Sequence, residues 1–182
     1  RCADPKTAKK MLQAVLDAAS RGDTTGGVVE VIALNVPAGL GEPVFDKLDA
    51  DLAKAMMSIG AVKAVEMGAG RDFSTMLGSE ANDPISVRRG RIVTLTNKAG
   101  GVLGGISTGM PIRVRITVKP PSSIRKPQTT VDLETWKETE LKLAGRFDPN
   151  LCPRVVPVAE AMMAIVLADH MLRAGIINPN QV

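Results

Sequence analysis

Thr96-Asn97-Lys98-Ala99-Gly100-Gly101-Val102-Leu103-Gly104-Gly105-Ile106-Ser107-Thr108-Gly109 holds five glycines, two pairs of them adjacent, between two alternating apolar segments. Glycine backbone is entropically costly, so this density implies turns with positive φ or the close approach of a ligand. Taken alone, the stretch fits a long connector between two strands equally well. The segments on either side decide. Downstream, Ile112, Val114, Ile116 and Val118 alternate with Arg113, Arg115 and Thr117, which predicts a strand with one buried face. The two arginines fall on the opposite, solvated face. Upstream, residues 91–96 read as another strand, and residues 68–90 lose all periodicity around Met76, Asn82-Asp83-Pro84 and Arg88-Arg89. That segment reads as a surface loop or as a mobile cover over a site.

Farther upstream the pattern is helix, strand, helix, strand. Asp4-Pro5 sets a cap and a first-turn proline for a helix over residues 5–21, whose apolar positions include Ala8, Met11, Leu12, Val15 and Leu16. Gly22 stops it. Residues 28–36 alternate as a strand. Pro37 to Pro43 is a punctuated loop, and Leu48, Leu52, Ala55, Met56 and Ile59 mark a second helix over 46–59, capped by Gly60 and followed by a strand over 61–67. After the central strand, Lys119-Pro120-Pro121-Ser122-Ser123-Ile124-Arg125-Lys126-Pro127 is too proline-rich for a central strand. Its hydroxyls and cations suit a phosphate, although such segments also serve as linkers. Residues 131–143 read as a strand, with a helix over 134–140 as the other option. Residues 145–149 form a turn, and 157–173 the most apolar helix. The pattern predicts one α+β domain over residues 1–182: a mostly antiparallel sheet of strands near 28–36, 61–67, 91–96 and 112–118, with helices 5–21, 46–59 and 157–173 on one face.

Composition narrows the function classes. Aromatic content is 2%, with no Tyr and a single Trp, which argues against a base-stacking nucleic-acid platform. Net charge is +4, but Lys and Arg form no run of five, a distribution that suits a phosphorylated small molecule better than DNA. Cys2, Cys152 and the single His170 have no metal-ligand spacing, so no metal site is expected. The unpaired thiols point to a reducing, cytoplasmic setting. No signal peptide is evident, and the longest charge-free apolar run, residues 161–168, is too short to span a bilayer, so no membrane partner is expected. His170 lies among apolar residues and reads as packed. Neither nucleotide-binding glycine fingerprint is present. Arg146 and Asp148, two residues apart before the last helix, pair an anion-binding cation with a carboxylate able to handle a proton, although Asp148-Pro149 also suits a turn cap.

Five segments, in order along the chain, resemble the chorismate synthase family. They are residues 37–45; Leu48-Asp49-Ala50-Asp51-Leu52-Ala53-Lys54-Ala55-Met56-Met57-Ser58-Ile59; Asn97-Lys98-Ala99-Gly100-Gly101-Val102-Leu103-Gly104-Gly105-Ile106-Ser107; residues 119–123; and Gly145-Arg146-Phe147-Asp148-Pro149 with Val156-Pro157-Val158-Ala159-Glu160-Ala161-Met162. The resemblance covers essentially the whole chain. It implies a reduced-FMN-dependent 1,4-anti elimination of phosphate from 5-enolpyruvylshikimate 3-phosphate, giving chorismate without net redox change. It also implies an association with NADP, a homotetramer, and a fold that is half of an α-β-β-α sandwich. By the same resemblance, Gly60, Ala61, Gly104, Lys119, Pro120, Pro121, Ser122, Ser123 and Arg146 contact FMN. Arg146 also meets substrate, and Asp148 helps shuttle the proton lost from the substrate. Phe147 departs from the His of many relatives and reads as packing. The family protein is about twice as long, and its first half, with two catalytic histidines and substrate-binding arginines, has no counterpart here. Arg1-Cys2-Ala3-Asp4-Pro5 resembles mid-chain sequence, so the chain reads as the C-terminal part, expected to be inactive alone.

Overall fold

The structure, a computed structural model, describes residues 2–178, so Arg1 lies outside the described residues. Helix α1 (Pro5–Ser20) starts as its cap foretells: the Asp4 carboxylate accepts the backbone N–H groups of Lys6 and Thr7. Strand β1 (Gly27–Ala33) follows, then α2 (Leu48–Met57) and β2 (Val62–Met67). Helix α2 is shorter than 46–59 because Asp46 is drawn away from it; the Asp46 carbonyl accepts the Glu42 N–H at 2.8 Å.

Residues 68–96 are more ordered than their sequence suggests. A 3-10 turn (Gly70–Thr75) and a single helical turn α3 (Gly78–Ala81) lead into β3 (Ile85–Arg88), which pairs antiparallel with β4 (Arg91–Thr94). The expected strand 91–96 is therefore real only to Thr94, and it belongs to this separate ribbon rather than to the central sheet. The reason is local. Arg89 and Gly90 have φ of 52° and 72°, a two-residue reversal of the twist that hairpins favour, so β4 folds back on β3.

The glycine stretch is likewise no simple connector. It contains β5 (Val102–Leu103) and β6 (Ile106–Ser107), joined at Gly104 and Gly105 with φ of 59° and 86°, a left-handed turn that two glycines close without strain. Strand β7 (Ile112–Val118) comes next. The single strand expected over 131–143 is instead two strands, β8 (Gln128–Asp132) and β9 (Lys137–Leu141), with no helix between them. Helix α4 (Cys152–Arg173) begins five residues before the expected start, because the Asn150 side-chain oxygen accepts the Cys152 N–H at 2.8 Å and Pro153 fits a first turn. Pro157 is carried inside the helix.

The central sheet has the order β1-β7-β2, all antiparallel. The alternation of β7 does what period two requires: Ile112, Val114, Ile116 and Val118 are buried. Over them pack Leu48, Leu52 and Met56 of α2 and Val155, Ala159, Met163 and Leu167 of α4, a stripe repeating every fourth residue. On the opposite face Glu30 pairs with Arg113 at 2.9 Å, and Arg115 lies 3.6 Å from Glu30 and 3.7 Å from Glu66. Helix α1 is a correction to the expected layer. Its stripe of Met11, Leu12 and Leu16 is more than half exposed, and only Ala18 near its end is buried, so among the helices of the described residues α2 and α4 cover the sheet.

Helix α4 is long and apolar enough, by length and composition, to cross a membrane, which an eight-residue charge-free run concealed. Here it is the helix that lies against α2 and β1. His170 is packed, as its setting foretold: it is 2% exposed, with Nε2 3.0 Å from Asp51 of α2. Cys2 and Cys152 are free thiols, and burial pushes that of Cys152 up.

Candidate functional site

The strand β7 delivers residues 119–123 from its C-terminal end. The Lys119 N–H donates to the Ala61 carbonyl at 2.8 Å, which brings the α2–β2 junction beside it. Gly60 was expected to cap the helix. Instead Ser58 caps α2, and Ala61 carries the positive φ of 71°. A non-glycine residue pays about 1 kcal/mol there, the kind of local strain that gathers at ligand sites. Ala61→Gly should therefore raise stability by roughly 0.5 kcal/mol, net of the extra freedom glycine has in the unfolded chain. Urea unfolding reads that out, and a loss of stability would contradict it.

Other bonds fix the rest of the segment. Thr24 Oγ1 donates to the Pro121 carbonyl at 2.7 Å, and the Arg125 N–H donates to the Gly22 carbonyl at 2.9 Å. Lys126 pairs with Asp23 at 2.6 Å, and that hydrogen bond holds the Asp23 carboxyl below its ordinary range. Gly26 backs the segment: a Cβ there would lie 2.5 Å from the Val118 carbonyl oxygen and 3.0 Å from the Pro120 ring.

The turn at 145–149 docks on the same edge. The Pro149 carbonyl accepts the Thr25 N–H at 2.9 Å, and the Asn150 side-chain amide donates to Thr25 and Gly26 oxygens at 2.9 to 3.2 Å. Asn150 is thus the hinge pin between this turn and α4, a role sequence reading missed although Asn after Asp-Pro is a plain turn signal. Arg125 donates to the Gly145 carbonyl at 3.3 Å. A cleft of about 100 Å³ opens between Asp23, Thr24, Ser123, Arg125, Phe147 and Pro149. Phe147 acts as packing, its ring in line with Gly145, where a Cβ would meet it at 3.0 Å.

The chain therefore gathers Gly60, Ala61, Lys119, Pro120, Pro121, Ser122, Ser123, Arg146 and Asp148 around the exit of β7. Lys119 and Arg146 are exposed and pair with no described carboxylate, whereas Asp148 is held by Arg154 at 2.5 Å. Two free guanidinium or ammonium groups, two hydroxyls and a carboxylate at one edge can hold an anionic ligand and move a proton beside it. These residue types fit a flavin phosphate. Among the described residues, no three His, Cys, Asp or Glu side chains converge to hold a metal.

Gly104 is not part of that gathering. Ala33 pairs with Ile112 and Gly27 with Val118, and the Arg113 N–H donates to the Gly100 carbonyl, so the glycine stretch sits at the opposite end of β7. Seven residues of strand separate the two ends by roughly 20 Å. The stretch is anchored there by groups the sequence did not disclose. The Gly105 carbonyl accepts the Leu48 N–H at 2.8 Å, and the buried Ser107 hydroxyl donates to Pro37 and accepts the Leu40 N–H. Gly104 itself is exposed, with open space where a Cβ would stand, so its backbone is accessible to a ligand.

The family model for chorismate synthase matches residues 1–172. The chorismate synthase of Methanothermobacter thermautotrophicus is 58% identical over 183 residues, covering 100% of this chain and 49% of that protein. That of Methanosarcina barkeri is 59% identical over 179 residues, covering 98% of this chain and 49% of its own. A crystal structure of chorismate synthase superposes with a TM-score of 0.76 at 34% identity, covering 93% of this chain and 44% of that one. The chain spans about half the length of the curated relatives it matches. On the family match over residues 1–172 and on identities near 60% across its whole length, the chain belongs to the chorismate synthase family.

Proposed function

We propose that this chain supplies one wall of the flavin site of a chorismate synthase, acting in the reduced-FMN-dependent 1,4-anti elimination of phosphate from 5-enolpyruvylshikimate 3-phosphate. The observation that carries the reading is the convergence of residues 60–61, 119–123 and 146–148 at the exit of β7. Reduced FMN, when bound, takes part without net redox change. Lys119 and the Ser122 and Ser123 hydroxyls orient its anionic oxygens, and Arg146 binds an anionic oxygen of flavin or substrate. Asp148, aimed by Arg154, receives the proton that the substrate loses, while phosphate departs with the electron pair of its C–O bond and a new C=C bond forms. Gly104 offers open backbone to flavin at the other end of β7. The working enzyme on this reading is a homotetramer of full-length chains.

Anaerobic titration of the 182-residue chain with reduced FMN tests the wall. We expect saturable micromolar binding, weakened at least tenfold by Arg146→Ala, because a charge-assisted bond is lost without disturbing any contact that holds the turn. No binding at millimolar flavin would leave only an assembly module. The chain alone should not turn over, since half the relatives' length is outside it. Robust chorismate formation would refute that part.

A further inference from the structure

Residues 22–26, between α1 and β1, touch both halves of the candidate site. One set of bonds reaches the segment after β7. Thr24 Oγ1 donates to the Pro121 carbonyl at 2.7 Å, the Arg125 N–H donates to the Gly22 carbonyl at 2.9 Å, and Lys126 pairs with Asp23 at 2.6 Å. The other set reaches the turn that carries Arg146 and Asp148. The Thr25 N–H donates to the Pro149 carbonyl at 2.9 Å. The Asn150 amide donates to Thr25 Oγ1 at 2.9 Å, to the Gly26 carbonyl at 3.1 Å and to the Thr25 carbonyl at 3.2 Å. Among the described residues, the one direct hydrogen bond between the two halves runs from the exposed Arg125 guanidinium to the Gly145 carbonyl at 3.3 Å. Their relative placement therefore depends on residues 22–26.

Asn150 does two separable things. Its side-chain oxygen accepts the Cys152 N–H at 2.8 Å and so starts α4, whereas its NH₂ group shares two hydrogens among three oxygens of Thr25 and Gly26. The amide cannot be reversed, because the flipped group would turn its oxygen toward two carbonyl oxygens and its hydrogens toward the Cys152 N–H. The fit on this side is close: a Cβ on Gly27 would stand 2.8 Å from Cys152 Sγ. Asn150, Thr24 and Thr25 are half-buried, so water competes less for these bonds than it does at the exposed Arg146. Arg146 pairs with no described carboxylate, and nothing on its own side chain sets where the guanidinium stands. The backbone of its turn must do so.

On the flavin-wall reading given above, we propose that Asn150 is a positioning residue: its amide, gripping Thr25 and Gly26, fixes Arg146 and Asp148 relative to Lys119, Ser122 and Ser123. Polar groups on two separate segments bear together on one anionic ligand when their spacing is held before the ligand arrives. That preorganisation removes an ordering cost from binding and keeps the Asp148 carboxylate within reach of the same ligand.

Anaerobic titration with reduced FMN, run as a double-mutant cycle on the 182-residue chain, provides the test. Asn150→Ser keeps a neutral oxygen for the Cys152 N–H, serine being a good helix cap, but is too short to reach Thr25 or Gly26. It should weaken flavin binding roughly tenfold in the parent, and by less than about twofold in an Arg146→Ala background, where the turn has no cation left to position. In a Lys119→Ala background the loss should stay roughly tenfold, since Ser122 and Ser123 still hold the ligand on the other segment. Hydrogen exchange without ligand gives a second readout. The Thr25 amide should lose protection about tenfold in Asn150→Ser, while the Arg125 amide, bonded to Gly22, keeps its own. Circular dichroism reports the fold of each variant. If Asn150→Ser does not fold, Thr25→Val, which removes one of the three acceptors, runs the same cycle and should give the same pattern. Equal losses in the parent and Arg146→Ala backgrounds would make Asn150 a merely structural residue, overturning the assignment while the flavin wall stands. Unchanged affinity in Asn150→Ser would do the same. A parent chain that binds no flavin would overturn the wall and this assignment together.

Discussion

Gly68→Val should cost on the order of 3 kcal/mol or more, while Gly104→Asn, in a tight turn of the glycine stretch, should cost only a few tenths. Both glycines have φ near 60°, at 56° and 59°. What separates them is the space beside them. A Cβ on Gly68 would stand 2.0 Å from the Lys98 carbonyl oxygen and 2.5 Å from the Gly100 nitrogen, both of them backbone atoms that cannot swing aside. The same glycine donates its N–H to the Arg113 carbonyl at 3.0 Å, so it is clamped between β7 and the glycine stretch. A β-branched side chain adds the strain of a left-handed backbone to this crowding. Gly104 faces open space, and Asn tolerates the left-handed region through its short polar side chain. Denaturant midpoints measure the difference. The flavin titration then separates backbone from ligand: if Gly104→Asn folds normally but loses FMN, the glycine serves the ligand. If the two variants lose stability equally, the close approach at Gly68 has been misjudged.

The contrast also shows where sequence reading stops. The β7 alternation, the Asp4-Pro5 cap and the α2 spacing were legible because each is a short-range pattern whose period or chemistry admits one local answer. The core followed from them. The β3–β4 ribbon was not legible, although Ile85 and Val87 alternate. Its turn uses Arg89 at φ 52° where a hairpin ordinarily advertises itself with Asn or Gly, so the segment read as irregular. Helix α1 was legible as a helix but not as an unpacked one; amphipathicity says that a stripe wants cover, not what covers it. The site divides the same way. Residues 119–123 and 146–148 were found as motifs, yet nothing local says that Asn150 and Thr24 fasten them together, or that the roughly 20 Å length of β7 keeps Gly104 apart. Pairings between residues about 100 apart in sequence, such as Thr24 with Pro121 and Asn150 with Thr25, are consequences of the sheet register.

Asp83 illustrates how one side chain outside the glycine stretch is expected to govern it. Its carboxylate accepts the Lys98 N–H at 2.8 Å, the Ala99 N–H at 2.9 Å and the Thr96 hydroxyl at 2.5 Å, so three donors of the stretch converge on one side chain. Burial opposes its charge, but those hydrogen bonds outweigh burial and hold its carboxyl below the ordinary value of 3.8. Asp83→Ala removes all three acceptor contacts at once. Hydrogen bonds to a charged group contribute roughly 1.5–3 kcal/mol each when buried, and water can reach the half-exposed Asp83 and replace part of that, so about 2 kcal/mol in all is expected. Asp83→Asn should lose about half as much, because its amide keeps one oxygen acceptor while the NH₂ meets a backbone donor. The pH dependence follows from the direction of the shift. The folded chain holds Asp83 ionised more strongly than the unfolded chain does, so its stabilisation is complete above the unfolded carboxylate pKa and fades as pH falls through the lower folded value. Unfolding free energies of parent and Asp83→Asn should therefore differ at neutral pH and converge in acid below about pH 4. A gap that stays constant down to pH 3, or that widens there, would mean that the charge of Asp83 does not anchor the stretch. In hydrogen exchange, the amides of Lys98 and Ala99 should lose protection in Asp83→Ala while those of β1 and β7 keep theirs, since the sheet core does not depend on this clamp.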